Sequence, residues 1–130
     1  MILGIGIDLV SVNRIEDLLQ KFGEKFVRKI FTQDEIIQAE KITQVNQAIF
    51  FAKRFAAKEA FAKACGLGIG RGVDFHDIEV FNDNLGKPFI KILNEKEEFL
   101  RQHFAVASFK THLSLTDEKP MAQAMVIIEK

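Results

Sequence analysis

An α+β domain with a mostly antiparallel sheet is predicted for this chain of 130 residues. Three observations predict it: an apolar strand at the start, a stretch free of Gly and Pro from Val45 to Cys65, and two later pairs of apolar runs separated by a helical segment. The turns within those pairs are too short for parallel crossovers, so both read as antiparallel hairpins. The expected order is strand, helices including one long central helix, hairpin, helix, hairpin, in a single domain over 1–130.

Residues 2–10 are apolar or Gly except for Asp8, the pattern of a central strand covered on both faces. Asn13 followed by Glu16 has the form of a capping box, and Val12, Ile15, Leu18, Leu19 and Phe22 then recur at helical spacing until Gly23. Thr32 with Glu35 is a second box, opening a short helix to about Glu40. The helix from about Val45 to Cys65 is rich in alanine, stops at Gly66, and at 1.5 Å per residue would be about 30 Å long. IEVF and PFIKIL flank the turn Asn82–Gly86, HLSL and MAQAMVII flank Thr116–Pro120, and a helix from about Asn94 to His103 lies between the hairpins.

Composition narrows the classes of function. With 48% hydrophobic and 28% charged residues and only two prolines, the chain is an ordered globular domain with one core. Eighteen basic and eighteen acidic residues cancel, which removes the overall positive field of a non-specific nucleic-acid binder. The lone Cys65 excludes an intrachain disulfide framework and a structural zinc site, and a reducing cytoplasm fits it best. No apolar run nears the roughly 18 residues of a membrane span, and MILGIGIDLV meets Asp8 before a signal-peptide core forms, so a soluble, untargeted chain is expected.

The sharpest local oddity is Asp8, a carboxylate inside an apolar strand, which needs a partner or a metal. On the long helix Ala52, Ala56, Glu59 and Lys63 fall on one stripe of small residues, so Glu59 faces the close-packing side. If the first strand packs there, Asp8 and Glu59 converge, and two carboxylates with only oxygen ligands favour Mg²⁺. A plainer reading has Asp8 bonded to backbone at a strand end and Glu59 paired with Lys63 one turn on. Arg54 and Lys58 point about 100–140° away from Glu59 and serve either a neighbour's pocket or a solvated basic face. GLGIGRG at 66–72 follows a helix rather than preceding one, so it matches no established phosphate loop, and helix capping with a flexible connection explains it better. His112, Ser114 and Thr116 share one face of their strand. No Ser-His-Asp or Cys-His pattern supports a nucleophilic hydrolase, and Cys65 reads as a small core residue.

Two segments carry a resemblance: GIGIDLVSVNR at 4–14 and KRFAAKEAFAKACGLGI at 53–69. With FNDNLGKPFI and HLSLTDE they resemble the phosphopantetheinyl transferases, in particular the small homotrimeric holo-(acyl-carrier-protein) synthases, over almost the whole chain. The resemblance implies transfer of the phosphopantetheine arm of coenzyme A to a serine of an apo acyl carrier protein, releasing adenosine 3′,5′-bisphosphate. It implies Asp8 and Glu59 as Mg²⁺ ligands and Lys63 on a coenzyme A phosphate. Gly66, Gly68, Lys87, Pro88, His112, Ser114 and Thr116 would line the cofactor cleft, and Arg54 would reach the nucleotide from an adjacent subunit. Many relatives carry a histidine where this chain has Asp117, which receives no role. The serine's proton needs an acceptor, and Glu59 is a better candidate than His112.

Acyl carrier proteins are acidic, so Arg14, Lys21, Lys25 and Arg28 form the expected docking surface, the last three within a locally basic stretch from 21 to 63. The resemblance also implies a cytoplasmic enzyme of fatty acid synthesis, with active sites at the interfaces of a homotrimer and with neither nucleic acid nor membrane as partner. A non-catalytic trimeric module binding a nucleotide or an acidic protein is the alternative from another class. A nucleotide-dependent oxidoreductase lacks its strand-loop-helix glycine fingerprint here.

Overall fold

Residues 1–130 are described by a computed structural model, in which a three-stranded sheet wraps one face of a long helix. In chain order the elements are β1 (Ile2–Ser11), α1 (Val12–Phe22), α2 (Glu24–Ile30), α3 (Gln33–Glu40), α4 (Gln44–Ala64), a 3₁₀ turn (Phe75–Asp77), β2 (Ile78–Asn82), β3 (Pro88–Ile92), α5 (Lys96–Phe104), β4 (Lys110–Glu118) and β5 (Met121–Glu129). The α+β class, the long central helix and the two antiparallel hairpins with a helix between them are all present.

The hairpins do not form one sheet. β1 pairs with β5 and β5 with β4, all antiparallel, while β2 and β3 stand apart as a two-stranded ribbon. β1 is therefore an edge strand, which corrects the expectation of a central strand covered on both faces. Its inner residues face α4, but Ile5 and Leu9 on the outer face are 64% and 60% exposed, and nothing in this chain covers them.

Close approach of β1 to α4 is a consequence of glycine. A Cβ on Gly4 would lie 1.8 Å from the Ala64 carbonyl oxygen, and one on Gly6 would lie 1.8 Å from that of Ala60. Neither site tolerates a side chain, and the facing helix residues are alanines buried to zero or a few per cent exposure. Val10, Ala122, Ala124, Val126 and Ile128 complete this inner layer, and Phe31, Phe51 and Phe61 fill the helical side of the core.

Helix ends depart from expectation in two places. Ser11, not Asn13, caps α1, its hydroxyl accepting from the Arg14 amide at 3.3 Å. Gly23, with φ of 54°, ends α1 and immediately begins α2, a helix absent from the sequence-based reading. The Thr32–Glu35 box forms as expected, with both reciprocal bonds. β4 runs on through Glu118, past the Thr116 where a turn was expected to begin.

Candidate functional site

Asp8 lies on the inner face of β1, two residues after the Gly6 contact, and reaches α4 directly. Lys63 donates from Nζ to Asp8 Oδ1 at 3.0 Å and to the Ile7 carbonyl at 3.1 Å. Asp8's side chain is only 15% exposed against 53% for Lys63, so the carboxylate is fixed while the ammonium stands at the open rim. Glu59, one helical turn before Lys63, is half-buried. Burial first, and the nearby Asp8 carboxylate second, raise its proton affinity above that of an ordinary glutamate, opposed by Lys63 and Arg14. The expected convergence of Asp8, Glu59 and Lys63 is thus present. The plainer alternative is corrected, because Lys63 pairs with Asp8 across the strand–helix contact rather than with Glu59 along the helix.

Two carboxylates that repel each other beside an open rim could supply part of a cation's ligands. No third Asp, Glu, His or Cys joins them, which excludes a closed zinc-type cage. An oxygen-only pair that leaves most positions to water and substrate phosphate suits Mg²⁺.

The loop after α4 continues from Lys63. Gly66, Gly68 and Gly70 adopt φ of 74°, 75° and 91° with open space beyond each Cα, so the backbone there is bare to an approaching ligand. Lys87 and Pro88 lie at the tip of the β2–β3 ribbon, where the Lys87 amide donates to Asp83 Oδ1 and its ammonium rests over the Phe89 ring.

Arg54 and Lys58 do not form a solvated basic face, which corrects that expectation. Lys58 is fully buried, with Glu35 at 2.6 Å and the Ile30 and Phe75 carbonyls at 2.8 and 3.0 Å. Arg54 is 5% exposed, stacks its guanidinium 3.6 Å above the Phe50 ring, and donates from Nη2 to Asn82 Oδ1 at 2.7 Å. Burial pulls its pKa down to about 10, and its Nε has no partner within the chain. With Lys41, Asn46, Lys53 and Asp117 it lines a cleft of about 530 Å³ that contains none of Asp8, Glu59 and Lys63. Asp117, without a role in the sequence reading, pairs there with Lys53 at 3.1 Å.

His112, Ser114 and Thr116 also stand away from the carboxylates within one chain. Asp8 is level with Ala124 and Leu115 on the inner face, whereas Ser114 is level with Met125 and Ile7 on the outer one. His112 is exposed and paired with Glu129 at 2.8 Å.

Arg14, Lys21, Lys25 and Arg28 are all exposed on α1 and α2. Arg14 and Lys25 border an apolar cleft floored by Phe22, Phe26, Phe55 and Phe75, and Lys29 completes the basic rim. Lys21 lies over the Phe22 ring, while Arg28 points toward Glu24 at 3.6 Å. Sequence reasoning missed Lys29 and the Phe55 floor. The spacing of Phe22, Phe26, Lys29 and Ile30 would have shown them had the helical pattern been carried across Gly23.

This fold and this pair of carboxylates define a recognisable class. The chain belongs to the 4′-phosphopantetheinyl transferase superfamily, whose family model matches residues 4–122. It is 45% identical over 130 residues to a holo-(acyl-carrier-protein) synthase of Paramagnetospirillum magneticum, covering 99% of this chain and 97% of that one. It is also similar to the crystal structure of a holo-(acyl-carrier-protein) synthase from Bacillus anthracis in complex with CoA (3′,5′-ADP), with a TM-score of 0.82, 41% identity, and 100% and 98% of the two chains covered. The synthase from Neisseria meningitidis superposes with a TM-score of 0.88 at 38% identity, over 100% of both chains.

Proposed function

We propose that this chain transfers the 4′-phosphopantetheine arm of coenzyme A to a serine hydroxyl of an apo acyl carrier protein. The observation that carries the reading is the Asp8–Lys63 pair beside Glu59, set at the β1–α4 contact. It is supported by full-length similarity to synthases, one of them solved with CoA (3′,5′-ADP).

The serine oxygen attacks the phosphorus that bears the pantetheine arm, and the bridging oxygen leaves with adenosine 3′,5′-bisphosphate. Glu59, whose proton affinity is raised by burial and by Asp8, would accept the serine proton. Lys63, exposed and tethered only at its tip, turns from Asp8 to a phosphate. Asp8 and Glu59 would hold Mg²⁺, which when bound neutralises pyrophosphate charge and stabilises the departing bisphosphate. Gly66, Gly68, Lys87 and Pro88 would line the cofactor cleft, Pro88 standing level with the Asn82 that holds Arg54.

The complete site belongs to a homotrimer in this reading. Two observations support it: the outer face of β1 and β5, with Ile5, Ile7, Leu9 and Met125, is open and apolar, and Arg54, His112, Ser114 and Thr116 lie away from Asp8 in a single chain. A second copy would bring Arg54 to the nucleotide. The Arg14, Lys25 and Lys29 rim, with Lys21 and Arg28 beside it, would receive the acidic carrier. A cytoplasmic enzyme serving fatty acid synthesis is the corresponding setting, and no helix is long and apolar enough to cross a membrane.

Intact-mass analysis of an apo carrier incubated with the protein and coenzyme A tests this. A gain of one phosphopantetheine unit that chelator abolishes, and that Glu59→Gln fails to produce, is expected. No gain on a carrier that an active control enzyme modifies would refute it.

A further inference from the structure

The helix between the two hairpins has no part in the site described above, yet it grips both ends of the glycine loop. His103 Nε2 lies 2.8 Å from the carbonyl oxygen of Cys65, the residue that caps α4 and begins the loop. A carbonyl only accepts, so Nε2 carries the proton and donates. One turn earlier on the same face, the Phe99 ring presses on the loop's other end. A Cβ on Gly72 would meet its Cζ at 2.5 Å, and Gly72 itself has φ of 107°. The Phe99 and His103 rings are nearly parallel, at 6° with centroids 6.3 Å apart.

Between these anchors nothing crowds Gly66, Gly68 or Gly70. The loop's own bonds are few: the Gly66 amide to Lys63, those of Leu67 and Gly68 to Ala62, and that of Gly70 to Val73. A segment rich in glycine loses much backbone entropy when it is ordered, so its shape must be imposed from outside. α5 is itself held firmly enough to impose it. Leu100 is fully buried beneath it, and Asn94 and Glu95 before it and Ala105 after it all take left-handed backbone angles, φ 57°, 62° and 55°. Non-glycine residues keep that conformation only where the surroundings fix it. Asn94 is fixed by its amide, which donates to Asp77 Oδ1 at 2.9 Å.

We infer that α5 is a clamp that sets the conformation of the Gly66–Gly72 loop for coenzyme A, with His103 as the positioning residue at its Lys63 end and Phe99 at the other. The inference rests on the transfer reading for its ligand, but not for the clamp itself. Both side chains are on the surface, so removing either leaves the core intact.

The test compares wild type with His103→Leu, His103→Gln and Phe99→Ala. Without substrates, amide hydrogen exchange over residues 66–73 should quicken about threefold to tenfold in H103L, the range expected for one lost hydrogen bond, while exchange in β1 and β5 stays unchanged. With substrates, KM for coenzyme A should rise by a similar factor, with kcat and KM for the carrier within about twofold. H103Q, whose amide can donate from nearly the same place, should restore both, and F99A should loosen the 70–73 end. Unchanged loop exchange in H103L, or a change in kcat and both KM values together, would overturn the clamp. A wild-type protein that transfers nothing overturns the transfer reading, and the substrate-free exchange comparison then decides the clamp alone.

Discussion

Replacing Lys58 by methionine should cost more stability than any surface charge in this protein. The ammonium spends all three hydrogens inside the fold, on Glu35 Oε1 at 2.6 Å, the Ile30 carbonyl at 2.8 Å and the Phe75 carbonyl at 3.0 Å. Both partners of the ion pair are at zero exposure. Methionine fills the space of the alkyl stem, so the cost is electrical rather than steric. Glu35 keeps the Thr32 and Val80 amides, each at 2.9 Å, but loses its only cation within contact, and two carbonyls lose their donor. Removing one partner of a buried pair costs about 3–5 kcal/mol. For a domain of this size each kcal/mol is worth about 3–5 °C, so Tm should fall by about 10–20 °C. Far-UV circular dichroism is the assay, since a chain with no Trp and no Tyr gives little intrinsic fluorescence.

The double variant E35Q/K58M separates charge from packing. Glutamine still offers one acceptor to the backbone amides but no longer strands a negative charge, so the double variant should be more stable than K58M alone. A loss of less than about 1 kcal/mol in K58M, or a double variant costing the sum of its singles, would refute the claim that this pair is a desolvated, mutually dependent unit.

Three further outcomes are expected. Gly6→Ala places a Cβ 1.8 Å from the Ala60 carbonyl oxygen, so β1 must retreat from α4; a loss of about 3 kcal/mol in urea unfolding is expected, with Asp8 carried away from Lys63 and transfer lost even where the variant folds. Cys65 is buried and its thiol is pushed up to about 12, so it should resist alkylation between pH 8 and 10 and react at the ordinary rate once the chain is unfolded; rapid modification of the native protein would contradict the packing at the end of α4. Charge reversal of Arg14 and Lys25 together should raise KM for an acidic carrier about tenfold at low salt, a gap that narrows as salt screens it, while kcat at saturating carrier holds.

What was legible in the sequence was whatever local spacing encodes. The Thr32 box was readable because its two bonds span three residues, and the convergence of Asp8 with Glu59 was readable because Glu59 shares a helical stripe with Ala52 and Ala56 and Asp8 is the one charge in an apolar strand. The second oxygen of that same Glu35 was not readable. It binds the Val80 amide 45 residues away, and its cation sits on α4. The Asp8 partner of Lys63 was not readable for the same reason: spacing offers Glu59 at i,i+4, whereas Asp8 lies on a strand 55 residues distant. Gly23 hid α2 because a left-handed glycine reads as a stop, whereas here it ends one helix and starts the next. β1 shows a different limit. Its apolar residues predict a strand covered on both faces, yet the outer residues Ile5, Ile7 and Leu9 are exposed in this chain, because apolar spacing records a demand for cover and not what supplies it.

That last ambiguity bears on why the carboxylates sit where they do. Gly4 and Gly6 bring β1 close against α4, and the next inward residue, Asp8, meets Lys63 at 3.0 Å with Glu59 one helical turn away. Burial first, and repulsion from Asp8 second, raise the proton affinity of Glu59, and Lys63 and Arg14 offset them only in part. Packing that would be merely tight at an alanine here concentrates negative charge, and on the proposed reading that charge demands a cation. On the proposed reading a divalent ion and the substrate's phosphates meet that demand together, so the glycines two and four residues before Asp8 belong to the site as much as the carboxylates do, although neither bears a side chain.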